Sequence, residues 1–119
     1  MNIRRVVPNI KAHQYDESRT FYTDFLGLDL AMDLGWIMTF VNPDNPSSQI
    51  SVLTADPSGF HPHVSVEVTD IDVVYAKAVA AGLDIVYPMT DEPWGVRRFF
   101  VADPNGLIIN IVSHQAAHE

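Results

Sequence analysis

Three observations predict an α+β fold made of two tandem βαβββ modules. One phrase occurs twice, Gly27-Leu28-Asp29-Leu30 and Gly82-Leu83-Asp84-Ile85, 55 residues apart in a chain of 119. Each copy follows a helical stretch, residues 16–26 in one case and 70–81 in the other. Each is followed by short β-like runs, with Phe40-Val41-Asn42-Pro43-Asp44 answering Phe100-Val101-Ala102-Asp103-Pro104. Such a duplication implies a pseudo-symmetric fold, and the seam between repeats is a natural place for a ligand cleft. The length sets one domain over residues 1–119, with module 1 at about 1–55 and module 2 at about 56–119.

Residues 3–10 are rich in β-branched side chains and predict a strand. Asp16 offers a helix N-cap, Phe21, Tyr22, Phe25 and Leu26 recur at helical spacing, and Gly27 supplies the left-handed stop. The first helix is therefore expected at 17–26, with Tyr22 and Phe25 in its core face. Residues 29–33, 36–41 and 49–54 are three further β-like runs, separated by Leu34-Gly35 and by the turn-forming Asn42-Pro43-Asp44-Asn45-Pro46. The second half repeats this order. A strand is expected at 64–69, a helix over about 71–81 between Asp70 and Gly82, and strands near 83–87, 97–102 and 107–113.

Alternation within two strands carries functional information. In His63-Val64-Ser65-Val66-Glu67-Val68-Thr69 the valines share one face, leaving His63, Ser65, Glu67 and Thr69 on the other, toward solvent or a wet cavity. In the last strand Asn110 shares a face with Ile108 and Val112, so its amide points into partly apolar surroundings and needs a hydrogen-bond partner.

Composition narrows the function classes. Fifteen acidic residues against seven basic give a formal charge of −8 with no acidic run, which argues against nucleic acid as a partner. With no cysteine the chain has no disulfide, thiolate metal site or cysteine nucleophile. No segment reaches the roughly 20 apolar residues of a membrane span, and Met1-Asn2-Ile3-Arg4-Arg5 lacks the apolar core of a signal peptide. A cytoplasmic protein without a membrane partner is expected. The serines lie in no Gly-x-Ser-x-Gly elbow, and there is no phosphate-binding glycine loop. Asp91 and Glu92 read as loop surface, and His13, His114 and His118 as loop and tail residues.

Phe21-Tyr22-Thr23-Asp24-Phe25-Leu26-Gly27-Leu28, followed by Glu92-Pro93-Trp94-Gly95-Val96-Arg97-Arg98-Phe99 and Asp103-Pro104-Asn105-Gly106, resembles the vicinal oxygen chelate superfamily. This is the group of glyoxalases, bleomycin-resistance proteins and extradiol dioxygenases, and the likeness extends over essentially the whole chain. It implies that the two modules form a curved, open, mixed sheet around a cleft, and that the protein is a homodimer with two clefts. Fold alone leaves the chemistry open, since members isomerise, epimerise, cleave rings or sequester drugs.

The resemblance also specifies four metal positions, one on the first and last strand of each module. Counting from Gly82 and Asp103 places two of them at His63 and Asn110; their counterparts fall at Pro8, give or take one residue, and about Ser51. Only His63 is a strong ligand for a divalent ion, since proline cannot coordinate and Ser and Asn are weak neutral donors. His61 and Glu67 are the remaining side chains able to join His63 on a metal, and no metal cofactor is expected. Aromatic residues on matching strands, Trp36, Phe40, Trp94, Phe99 and Phe100, suit a planar ligand; Phe99 and Phe100 cannot both face it. Trp94, in a Pro-Trp-Gly turn like that of bleomycin-resistance proteins, is the foremost of these.

The expected function is metal-free binding of a small organic ligand, aromatic or antibiotic-like, in a cleft at the dimer interface. Trp36, Phe40, His63, Trp94, Arg97 and Asn110 are the expected ligand-binding residues, and no catalytic residue is assigned. Two alternatives stand beside it. One is a metal-dependent glyoxalase-like lyase or isomerase using His63; the other is a protein-interaction module with a filled cleft. In either case Glu67 has Arg97 or Arg98 as an available ion-pair partner.

Overall fold

The computed structural model describes residues 1–115. His118, expected to be a tail residue, lies outside them. Each half has the expected β-α-β-β-β order, and the sheet of each mixes parallel and antiparallel pairing. The described residues divide into two compact units, residues 6–61 and residues 62–115 with 1–5.

In the first unit the sheet order is β2-β3-β4-β1, from β1 (Ile3–Lys11), β2 (Asp29–Asp33), β3 (Ile37–Asn42) and β4 (Asn45–Leu53). β3 and β4 form a hairpin closed at Asn42 and Asn45, where the Asn42 side chain accepts from the Asp44 N–H at 3.0 Å. β4 therefore begins inside the segment expected to be turn. Met38, Phe40 and Val52 are fully buried against Ala12, Tyr15, Tyr22 and Leu28, and Phe40 stacks on Tyr22 with ring centres 5.1 Å apart.

The helix of this unit departs from expectation. α1 (Tyr15–Thr20) starts one residue before Asp16, with Gln14 at the N-cap and no side-chain cap. It then widens into a π-helical turn (Phe21–Phe25), in which the Leu26 N–H bonds to the Phe21 carbonyl five residues back. Hydroxyls assist this local distortion: Ser18 bonds to the Gln14 carbonyl at 2.6 Å and Thr23 to the Arg19 carbonyl at 2.7 Å. The wider turn keeps Tyr22 on the core face but turns Phe25 out, to 74% exposure. Gly27 ends the segment at φ +72°, as expected of a left-handed stop.

In the second unit the order is β5-β8-β7-β6, from β5 (Val64–Val68), β6 (Ile85–Asp91), β7 (Val96–Ala102) and β8 (Ile108–His114). α2 (Ile71–Ala80) is capped by the Asp70 carboxylate, which accepts from the Val73 N–H at 3.4 Å. Val68, Ile71, Ala78, Phe99 and Ile111 form the core beneath this helix, joined by Val66, Val74, Tyr75, Val101 and Ile109. Every sheet residue in that list belongs to one face, because β5, β7 and β8 are in register at Val66, Ile111 and Phe99.

Candidate functional site on the polar face of the second sheet

The same register fixes the opposite face. Ser65 pairs with Asn110 and Glu67 with Val112 between β5 and β8, while Asn110 pairs with Phe100 and Val112 with Arg98 between β8 and β7. Ser65, Glu67, Arg98, Phe100 and Asn110 therefore share the face turned away from α2. Glu67, Arg98 and Asn110 are all at least nine-tenths buried. Polar groups so removed from water must be paired or be aimed at a ligand.

Glu67 is held at both carboxylate oxygens. Arg5 Nε lies 2.7 Å from Oε1 and His114 Nδ1 lies 2.6 Å from Oε2. Arg5 also approaches His114 Nε2 at 3.4 Å. His114, expected to be an inert tail residue, is thus drawn onto this face by β8, which extends one residue past the expected end. Arg97 has Asp72 and Asp91 as ion-pair partners, and Arg98 has Glu92.

Arg98 and Glu92 form a second buried pair, with Nε 2.6 Å from Glu92 Oε2 and side chains 4% and 8% exposed. The Tyr87 hydroxyl donates to the same oxygen at 3.1 Å. The guanidinium carbon lies 4.8, 5.0 and 5.4 Å from the ring centres of Phe100, Trp94 and Tyr87. Arginine is suited to this setting, since its planar cation can stack on rings while bonding a carboxylate in its own plane. Glu92, expected on a loop surface, is instead the counter-ion that permits this burial.

Asn110 donates from Nδ2 to Ser65 Oγ at 2.9 Å. Its Oδ1 is buried and has no hydrogen-bond partner among the described residues. The partly apolar setting expected from Ile108 and Val112 is therefore present, and the acceptor of the amide is unmet there.

The other expected site residues are distributed as alternation requires. Arg97 lies on the α2 face, where it bonds Asp72 of the helix at 3.0 Å and Asp91 at 2.9 Å; these acids hold its guanidinium pKa above the usual value. Its neighbour Arg98 occupies the polar face. Phe40 is core beneath α1, on the face of its sheet opposite Thr39 and Ser51. Trp36 precedes β3, half-buried, with its carbonyl accepting from the Thr54 N–H at 2.9 Å. Trp94 is half-buried in the turn before β7. His63 is exposed just before β5, its Nδ1 accepting from the Ile108 N–H at 3.0 Å.

Of the residues at the four metal positions only His63 is a strong ligand for a divalent ion. Pro8 is exposed, and the register that pairs Asn9 with Ser51 puts Asn9 on the Ser51 face and Pro8 on the other. Ser51 shares a hydrogen bond of 2.8 Å with Thr39. His61, the first histidine of the His61-Pro62-His63 run, has its Nε2 3.1 Å from the Asn9 carbonyl. Among the described residues no three of His, Cys, Asp and Glu are grouped so as to hold a metal. One imidazole with neutral amides and hydroxyls falls short of the three strong ligands that a catalytic zinc site uses.

Among the described residues no helix is long and apolar enough to cross a membrane. No curated protein sequence matches the chain significantly. Similar solved structures are numerous. A glyoxalase/bleomycin resistance protein/dioxygenase superfamily member from Vibrio splendidus 12B01 is 17% identical, with TM-score 0.68 over 94% of this chain and 99% of that one. Methylmalonyl-CoA epimerase from Mycobacterium tuberculosis is 20% identical, with TM-score 0.71 over 98% and 89%. The Mn(II)-bound glyoxalase from Novosphingobium aromaticivorans is 20% identical, with TM-score 0.65 over 99% of this chain and 41% of that one. These likenesses establish the fold. The family model for the Glyoxalase/Bleomycin resistance protein/Dioxygenase superfamily matches residues 7–111, and the chain belongs to that superfamily.

Proposed function

We propose that this protein binds a small, planar organic ligand without a metal ion and acts by holding it. The observation that carries this reading is the polar face of the second unit. It gathers an incompletely bonded buried amide, Asn110, and an aromatic group around Arg98 that includes the half-buried Trp94. Flat aromatic surfaces beside a few fixed polar groups are what small-molecule sites commonly contain. The donors at the family's metal positions are mostly neutral, which favours binding by hydrogen bonds and stacking over Lewis-acid chemistry. Sequestration in the manner of a bleomycin-resistance protein, by a cytoplasmic homodimer, is the form of the function we favour. The exposed Phe21 and Phe25, with ring centres 5.2 Å apart, support self-association because contiguous exposed rings mark contact surfaces.

A second reading draws on the Glu67–His114 contact of 2.6 Å. A carboxylate that orients an imidazole is the arrangement of a general base, and it keeps an isomerase or lyase in view. Metal analysis of protein purified without chelator tests the main reading. Substoichiometric divalent metal, together with saturable ligand quenching of tryptophan emission that Trp94→Ala weakens, is the expected result. A stoichiometric ion lost in His63→Ala would overturn it in favour of the metal-dependent enzyme.

A further inference from the structure

The chain just ahead of β5 meets the start of β8 at two points, both through His63. The His63 N–H donates to the Ile108 carbonyl at 2.8 Å, and the Ile108 N–H donates to His63 Nδ1 at 3.0 Å. Both main-chain groups of Ile108 thus end on one residue. Regular parallel pairing begins one step later, at Val64 and Ile109, so the imidazole supplies the acceptor that a backbone carbonyl supplies within a ladder. An accepting nitrogen fixes the chemistry of its ring. In a neutral imidazole one nitrogen carries the proton and the other offers a lone pair. A backbone N–H can only donate, so Nδ1 is the bare nitrogen and the ring proton sits on Nε2.

We infer that His63 is a positioning residue, its imidazole held as the Nε2–H tautomer by Ile108, and that the single strong donor at the family's metal positions therefore presents no lone pair to a divalent ion. The inference rests on the metal-free reading above and supplies its cause. A histidine that ligates a metal through Nε2 has the reverse arrangement, with its Nδ1–H donating to a carbonyl or carboxylate. The partner of His63 Nδ1 has the opposite polarity. Coordination through Nε2 would move the proton to Nδ1 and set two donors 3.0 Å apart, so the ring would have to turn away and release the Ile108 N–H. Coordination through Nδ1 would take the lone pair that this N–H already uses. Within this unit nothing offsets that loss: Asn110 is a neutral donor, and both oxygens of Glu67 are ion-paired.

Long-range ¹H–¹⁵N correlation spectra of the full chain, taken at about pH 8, above the ordinary histidine range, read the ring directly. Nδ1 of His63 is expected to resonate as an unprotonated, hydrogen-bonded nitrogen and Nε2 as a protonated one. Zn²⁺ in modest excess is expected to leave both resonances in place. Amide exchange at Ile108 supplies a second measurement. His63→Asn, whose Oδ1 can take the place of Nδ1, is expected to keep that amide protected, and His63→Ala to speed its exchange by about fivefold or more. The ring measurement needs no variant, so it decides the tautomer even if His63→Ala fails to fold. A proton found on Nδ1, with no zinc retained, would overturn the inference and leave metal-free binding standing. Stoichiometric Zn²⁺ that moves the His63 resonances would overturn the inference and the metal-free reading together. Equal exchange at Ile108 in the wild-type chain and both variants would overturn the positioning role.

Discussion

Removing the carboxylate at position 92 isolates the most consequential ion pair of the second unit. In Glu92→Leu the Arg98 guanidinium, 4% exposed, keeps its charge and loses the oxygen 2.6 Å away. The Tyr87 hydroxyl loses the same acceptor. Breaking a buried pair by deleting one partner costs about 3–5 kcal/mol, because the remaining charge stays desolvated. The three rings around Arg98 are present before and after, so their cation–π attraction moderates the loss without removing it. A destabilisation of about 3 kcal/mol follows, or roughly 12 °C in thermal midpoint for a domain of this size. Glu92→Leu/Arg98→Met removes both charges and is expected to lie within about 1 kcal/mol of wild type, since apolar replacement of a whole buried pair is often neutral. Urea unfolding followed by circular dichroism, run as a double-mutant cycle, reads these differences directly. A single variant within about 1 kcal/mol of wild type would refute the argument. So would a double variant as damaged as the sum of its parts.

Three further predictions concern the glycines that follow the two helices and the Asp33 carboxylate. Gly27→Ala and Gly82→Ala are each expected to cost about 1–2 kcal/mol, and by similar amounts. Both glycines sit at positive φ, +72° and +70°, with nothing within 4 Å of an added Cβ, so the penalty is conformational only. Unequal midpoints in urea would contradict this equivalence. Asp33 accepts from the Gly35 N–H, the main cause of its lowered pKa, with Tyr15 and Arg19 assisting. Its contribution to stability is complete above the ordinary carboxylate range near pH 4 and is lost as pH falls through the lower folded value. Asp33→Asn should therefore flatten the acid limb of the stability profile, and an unchanged limb would refute the assignment. Tyr15 is pushed up to about 12, by burial first and by Asp33 second. In ultraviolet titration its ionisation should fall back toward 10 in Asp33→Asn without reaching it, because burial remains.

The repeat made the order of elements legible, because a duplicated Gly-Leu-Asp phrase marks the same helix end twice. Alternation made the polar face legible as well: Ser65 and Glu67 are where period-two reasoning on Val64, Val66 and Val68 places them, and Asn110 is opposite Ile109 and Ile111 as the same reasoning requires. Other features turned on interactions that spacing does not encode. The π-helical turn at Phe21–Phe25 depends on which carbonyl an amide chooses, and apolar periodicity reads the same for either choice. The role of Glu92 depends on a hairpin bringing it to Arg98, and a carboxylate beside Pro93-Trp94-Gly95 looks like surface from its neighbours alone. His114 was hidden for a different reason. Its face was implied by Asn110 and Val112, but the strand had to continue through His114 for that to matter. The Phe99-Phe100 pair held the signal that separates the arginines. If Phe99 enters the helix-side core, Arg97 follows it and Arg98 goes to the other face.

That last point bears on how distant relatives are to be compared. Arg97 and Arg98 are chemically identical neighbours, yet one braces the outside of a helix and the other is enclosed by rings and a carboxylate. A gap misplaced by a single position in the Trp94-Gly95 turn exchanges them, an easy error at 17–20% identity. Transfer of a role between members of this superfamily at these positions is secure only when strand pairing is compared, with the arginine opposite the Val112 equivalent identified before its function is named.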